Sequence, residues 1–180
     1  MTFRAVCFDG VMSSNGSRTE AETVAAMAAL PGVVAMTASR ETGAPEVAWG
    51  DTFFFHDPDG DGDRRFPFAT VVTKDYPGFD ETSDLKRPGV YRVNVQAGSE
   101  RFTELLGFSP RELDEHREEI DFAEPDRLLP HPVYGAQGWV SAVVPGPRTW
   151  RDLLQLVEHA RGRAARRQER REGRAGLTEG

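Results

Sequence analysis

Three short runs of strict side-chain alternation constrain this chain more than any other feature. Val90–Val95 sets Tyr91, Val93 and Val95 on one side and Arg92 and Asn94 on the other. Phe68–Lys74 alternates Thr70, Val72 and Lys74 with Ala69, Val71 and Thr73. Gly138–Val144 alternates Trp139, Ser141 and Val143 with Val140, Ala142 and Val144. Successive strand residues point to opposite faces, so each run reads as a strand of one sheet. One face of that sheet is apolar enough to lie under helices. The other carries Arg92, Asn94 and Ser141, with Lys74 and Trp139 as further candidates.

The remaining elements are signalled by their ends. Thr19 and Glu22 form a capping box ahead of Val24, Met27, Ala28 and Leu30, and Pro31-Gly32 stops that helix. Val33–Thr37 is a short apolar strand. Glu46–Trp49 and Thr52–Phe55 read as two strands around a Gly50-Asp51 turn, or as one bent strand. Tyr76–Pro88 is a long loop, either a lid or a plain connection. Ser99 opens a helix that Gly107 ends after Leu106. Ser109, Pro110 and Glu112 start another. Asp121–Pro132 reads as a proline-punctuated loop. The last helix begins at Thr149 with Trp150, Leu153, Leu154, Val157, Ala160 and Ala164 as its apolar stripe. This order predicts an α+β fold: an antiparallel sheet of about four to six strands with helices on one face.

Charge and composition bound the function. The net charge is −7, unevenly spread: residues 161–180 carry seven Arg and three Glu, or +4, which leaves −11 for residues 1–160. An acidic body disfavours a broad nucleic-acid surface. The expected organisation is a flexible leader over 1–18, a single domain over 19–162, and an Arg-rich frayed helix and disordered tail over 163–180. Met12 offers an alternative start to Met1. With no long apolar run and no secretory pattern, the expected location is the cytoplasm, away from membranes. Cys7 is the only cysteine, which excludes an internal disulfide and a Cys-based zinc site. The opening FRAVCFDG at 3–10 lacks the second Asp of a phosphatase-type Asp-x-Asp, because Val11 follows Gly10. Lys74 and Lys86 are the only lysines.

Four strings carry a family likeness: AWGDTFFF at 48–55, RFPFATVVTKDYPGFD at 65–80, GVYRVNV at 89–95 and LLPHPVYGAQGWVSAVVPG at 128–146. Together they resemble the bacterial domain of unknown function 6194, over about residues 19–162, with the leader and the Arg-rich tail outside. That resemblance implies no activity. In layout, HPVYGAQGWVSAVV followed by the 149–165 helix is also similar to the MmcQ/YjbR-like proteins. This second resemblance implies a two-layer "double-wing" α+β fold, for which a DNA-binding role has been proposed.

No catalytic signature stands out. Asp57, Asp59, Asp61 and Gly62 spell the opening of a calcium loop, but Phe68 occupies the position of the closing bidentate Glu and strands flank the segment. An ordinary acidic turn is favoured over a cation site. His131, Tyr134 and Trp139 form an aromatic cluster in which the imidazole serves as acid, base or ligand, or simply bonds to loop backbone. His56 marks a strand end, and His116 and His159 read as surface. Asp75 and Asp80 near Lys74 are a conceivable acid and base pair. No motif implies a cofactor.

The reading that gathers most of these residues is a binding module for a small polar or anionic ligand or a protein partner. Arg92 supplies a bidentate fork and Lys74 a point charge. Asn94 and Ser141 add neutral hydrogen bonds, and Trp49, His131, Tyr134 and Trp139 wall the site. In this reading Asp75 or Asp51 competes by neutralising the cations internally. The alternatives are an enzyme centred on Lys74, Arg92 and His131, and nucleic-acid binding through the basic tail.

Overall fold

The computed structural model describes residues 16–60 and 66–176, without side chains for 172–176. Cys7, Met1, Met12 and Asp61 lie outside the described residues. Six strands form one open antiparallel sheet: β1 (Val33–Thr37), β2 (Thr52–His56), β3 (Ala69–Val72), β4 (Arg92–Gln96), β5 (Leu128–Pro130) and β6 (Trp139–Val143), in the spatial order β1-β2-β3-β4-β6-β5. Helices α1 (Glu20–Ala28), α2 (Ser99–Leu106), α3 (Leu113–His116) and α4 (Trp150–Gly176) pack against it.

The alternation sets the core. Val93 pairs with Val71 on one side and Ala142 on the other, and Val95 with Ala69 and Val140. Val93, Val95 and these four partners are fully buried with Tyr91 and Phe54 under Met27 of α1, Phe102 of α2 and Leu153, Leu156, Val157 and Ala160 of α4. The Tyr91 hydroxyl stays within the protein, sharing a 2.7 Å hydrogen bond with Thr23 Oγ1 and donating to the Arg18 carbonyl at 3.0 Å. Burial first of all pushes its pKa up to about 12.

Several sequence expectations are corrected. Glu46–Ala48 is a 3-10 turn, because Ala48 and Trp49 donate to the carbonyls of Pro45 and Glu46 instead of to a neighbouring strand. Gly50-Asp51 is therefore no hairpin turn. β3 ends at Val72, because the Thr73 N–H leaves the ladder for the Asp51 carboxylate. The expected loop at 121–132 contains β5, which pairs with β6. On α4, Leu156 is fully buried whereas Leu154 is only half-buried. Spacings of three and four from Leu153 keep 156, 157 and 160 on one stripe, and 154 falls beside it. Helix α4 runs unbroken to Gly176, ~40 Å in all.

Candidate functional site

The face opposite the helices holds a buried polar network. Thr70, Asn94, Ser141 and Leu129 lie side by side across β3, β4, β6 and β5 by register, with Arg92 between Val72 and Val143 in the next row. Arg92 Nη1 donates to Asp80 Oδ1 at 3.1 Å and to Ser83 Oγ at 2.7 Å, Nη2 donates to Asp80 Oδ2 at 2.6 Å, and Nε donates to Asn94 Oδ1 at 2.8 Å. Asn94 passes the chain on by donating to Thr70 Oγ1 at 2.9 Å. The guanidinium is thus neutralised from within the chain. The carboxylate is that of Asp80, and not that of Asp75 or Asp51.

Those two aspartates have other tasks. Asp75 accepts from the Leu85 N–H at 3.0 Å. Asp51 accepts from the Thr73 N–H and from the Tyr76 hydroxyl in a short hydrogen bond. Burial raises the Asp51 pKa, against the hydrogen bonds from Tyr76 and Thr73 and the charge of Lys74. Tyr76 and Asp80 also exchange backbone hydrogen bonds at 2.9 Å, closing a turn with exposed Phe79 at its tip. Asp80 and Ser83 fasten the long loop to Arg92 of the sheet and Tyr76 fastens it to Asp51 beside β2, while Asp75 ties the loop's start to Leu85 near its end.

His131 is buried beside this network. Its Nδ1 accepts the backbone N–H groups of Val133 at 3.0 Å and Tyr134 at 3.1 Å. Two donors aimed at Nδ1 assign the ring proton to Nε2, which faces Asp80 Oδ2 at 3.9 Å and Arg92 Nη2 at 3.5 Å. Burial, then the Arg92 charge, push its pKa down to about 3, and the Asp80 charge only partly offsets them. A neutral imidazole with its acceptor nitrogen occupied is poorly suited to take a proton from a substrate. Tyr134 and Trp139 do gather around it, with ring centroids 5.0 and 6.4 Å away. Ser141 Oγ is buried with no hydrogen-bond partner among the described residues.

Lys74 has a different environment. Its Nζ donates to the Trp49 carbonyl in a short hydrogen bond, while the Trp49 indole donates to the Ala44 carbonyl at 2.9 Å. Lys74 borders a concave pocket of about 420 Å³ between the start of α1 and the 73–91 segment. Lys86 and Arg87 supply two further cations, Glu20 is the only acid in the lining, and Leu85, Val90 and Tyr91 give it apolar surface. Both lysines of the chain therefore meet here. Sequence reading missed Lys86 and Arg87, although Lys86-Arg87-Pro88-Gly89 marks two cations just ahead of a turn. Nothing periodic in a loop signals which way its side chains face. Lys86 is exposed and only loosely paired with Asp75 at 3.9 Å and Glu81 at 3.8 Å. Arg87 is held in place by the Ser83 and Asp84 carbonyls.

Of the calcium-like segment only Asp57 and Asp59 are among the described residues, and Asp61 lies outside them. Asp57 is buried at the end of β2 and Asp59 is exposed. Among the described residues no group of three His, Cys, Asp or Glu is placed to hold a metal ion, and no helix is long and apolar enough to cross a membrane.

In comparison with known proteins the chain matches a model described as a family of unknown function (DUF6194), over residues 18–173. The match runs past residue 162 into the Arg-rich part of α4, so that segment belongs with the matched region and not outside it. No curated protein and no solved structure matches the chain.

Proposed function

The chain belongs to the DUF6194 family, whose function is unknown, and from that premise we propose that it is a binding module for a small anionic ligand held in the Lys74–Lys86–Arg87 pocket. The observation that carries this reading is the meeting of three cations at one concavity of about 420 Å³ whose lining holds a single acid, Glu20, while Asp75 and Glu81 pair with Lys86, and Asp84 with Arg87, from outside that lining. The volume suits a small molecule. The start of α1 does not itself offer the charge complement, since Glu22 already bonds to the Thr19 N–H at 2.8 Å and meets the positive end of the helix. The anion falls instead to the lysines and the guanidinium. The walls of Tyr91, Val90 and Leu85 suit an apolar portion of the same ligand.

Relative to the reading from sequence, the site moves from Arg92 to its neighbours. Arg92, Asn94 and His131 act behind the pocket, holding the loop that carries Lys86 and Arg87. An enzyme centred on Arg92 and His131 is not the reading this geometry favours, because the guanidinium is already taken up by Asp80, Ser83 and Asn94 and the acceptor nitrogen of His131 by backbone N–H groups. The double-wing likeness and its DNA-binding role stay a separate idea, resting on layout.

Thermal denaturation with inorganic phosphate, citrate and a nucleoside monophosphate tests the proposal. A ligand at a hundred times its Kd stabilises by about 2.7 kcal/mol, which raises Tm by roughly 5–10 °C for a domain of this size. Lys86→Gln and Arg87→Gln should lose that rise while melting near the wild type without ligand. Unchanged melting of the wild type with all three anions, or an equal rise in both variants, overturns the reading.

A further inference from the structure

The sheet order leaves two strands with an open side, β1 and β5. β5 has only three residues and ends in Pro130, which has no N–H to offer. β1 has five residues, Val-Val-Ala-Met-Thr, with no charge and no proline. Its ladder with β2 fixes which backbone groups point away. Asp57 N–H donates to the Gly32 carbonyl and Ala38 N–H to the Asp51 carbonyl, so Gly32, Val34, Met36 and Ala38 exchange their bonds with the β2 side. Val33, Ala35 and Thr37 therefore direct theirs outward. The Val33 N–H turns back to the Leu30 carbonyl at 3.2 Å, whereas the outward groups of Ala35 and Thr37 have no partner among the described residues. Both of these residues are exposed.

We propose that this edge is a self-association surface, where a second copy of the chain adds its own β1 antiparallel and joins two six-stranded sheets into one. A strand edge accepts any extended chain, but two-fold pairing centred on Ala35 makes this one complementary to itself. The outward N–H and C=O of Ala35 meet the C=O and N–H of its counterpart, about 5.5 Å away between Cα atoms, and a methyl group obstructs nothing there. Val34 then stands opposite Met36 and Val33 opposite Thr37, so every cross-strand pair is free of charge. That matters in a chain of net charge −7, whose copies repel one another over most of their surface. Five residues per copy bury less than a permanent dimer interface does, so the association is concentration-dependent.

Sedimentation velocity on the full chain across a concentration series tests this. The wild type should pass from one-chain to two-chain mass as concentration rises. Ala35→Lys and Ala35→Glu each place like charges directly opposite and should stay monomeric, with melting temperatures close to the wild type because the site is exposed. Mixing the two variants should restore the dimer, since the opposed charges now attract. A wild type of one-chain mass throughout overturns the proposal, as does a dimer that survives in both variants or a mixture that stays monomeric. Should either charged variant not fold, Ala35→Pro, which removes only an outward N–H, is expected to be monomeric, and its dimerising like the wild type overturns the proposal equally.

Discussion

Arg92 grips Asp80 through two parallel hydrogen bonds, Nη1 to Oδ1 at 3.1 Å and Nη2 to Oδ2 at 2.6 Å, with both side chains shielded from water. The pair joins the centre of the sheet to a loop that reaches it from twelve residues upstream. Buried pairs of this kind gain little over an apolar substitute, but losing one partner strands the other charge in a low-dielectric interior. Asp80→Ala is therefore expected to cost about 3–5 kcal/mol in urea denaturation. Replacing both residues, Asp80→Leu with Arg92→Met, should cost less than that single change. Arg92→Lys should also destabilise, because the fork serves the fold and a point charge cannot reproduce it. Stability of Asp80→Ala within experimental error of the wild type would show that the pair is not formed in solution.

Helix α4 makes the second prediction. Leu153 and Leu156 are fully buried, and Leu154 stands beside the stripe, half-buried. Leu→Ala at either buried position should cost about 2–5 kcal/mol through lost transfer energy and the cavity left behind. Leu154→Ala should cost distinctly less. Equal costs at 154 and 156 would mean that the helix is rotated from this orientation.

What the sequence made legible follows from periodicity. The alternations in 68–74, 90–95 and 138–144 identify three central strands, and the capping boxes at Thr19 and Ser109 are both formed. β5 escapes because three residues ending in proline carry too little pattern, and Leu156 because three leucines at 153, 154 and 156 fit more than one stripe at helical spacing. The polar face shows the same division. That Arg92 and Asn94 share a face is a matter of parity, whereas Asp80 as the partner of Arg92, and Lys86 and Arg87 beside Lys74, depend on the path of a loop. Local sequence does not encode that path in any periodic form.

Asp126 gives a prediction about acid stability. It adopts a left-handed backbone, φ 54°, and its carboxylate accepts the N–H groups of Gly146 at 2.8 Å, Arg148 at 3.1 Å and Thr149 at 3.0 Å and the Thr149 hydroxyl at 2.6 Å. These bonds anchor the turn that leads into α4. Burial pushes the pKa up, but the hydrogen bonds from Thr149, Arg148 and Gly146 outweigh it and hold the carboxyl below the usual range. A depressed carboxylate pKa contributes stability that is present above the unfolded value, near 4, and lost as pH falls through the folded value. Asp126→Ala should cost about 1.5–3 kcal/mol at neutral pH. The gap to the wild type should narrow below about pH 4. A gap that is constant from neutral to strongly acidic pH would mean that the charge on Asp126 contributes nothing.

His131 should shape the pH dependence over a higher window. Its folded pKa lies at about 3, against an ordinary value of about 6.5 in the unfolded chain. Between these limits the unfolded state binds a proton that the folded state refuses. Stability therefore falls as pH drops from about 6.5 toward 3, by up to about 1.4 kcal/mol per pH unit. Carboxylates with a lowered pKa such as Asp126 add their losses only at the lower end, and Asp51, whose pKa is raised, acts equally in wild type and variant, so the difference between them over about pH 6.5 to 5 isolates the histidine. His131→Asn is the informative variant. Its side-chain oxygen can stand where Nδ1 now accepts the Val133 and Tyr134 N–H groups, yet it does not titrate. The wild type should lose stability across that interval relative to His131→Asn, as read by urea denaturation at matched ionic strength. Parallel curves for the two proteins would mean that His131 takes up its proton in the folded state, and that the backbone donors do not hold it neutral beside Arg92.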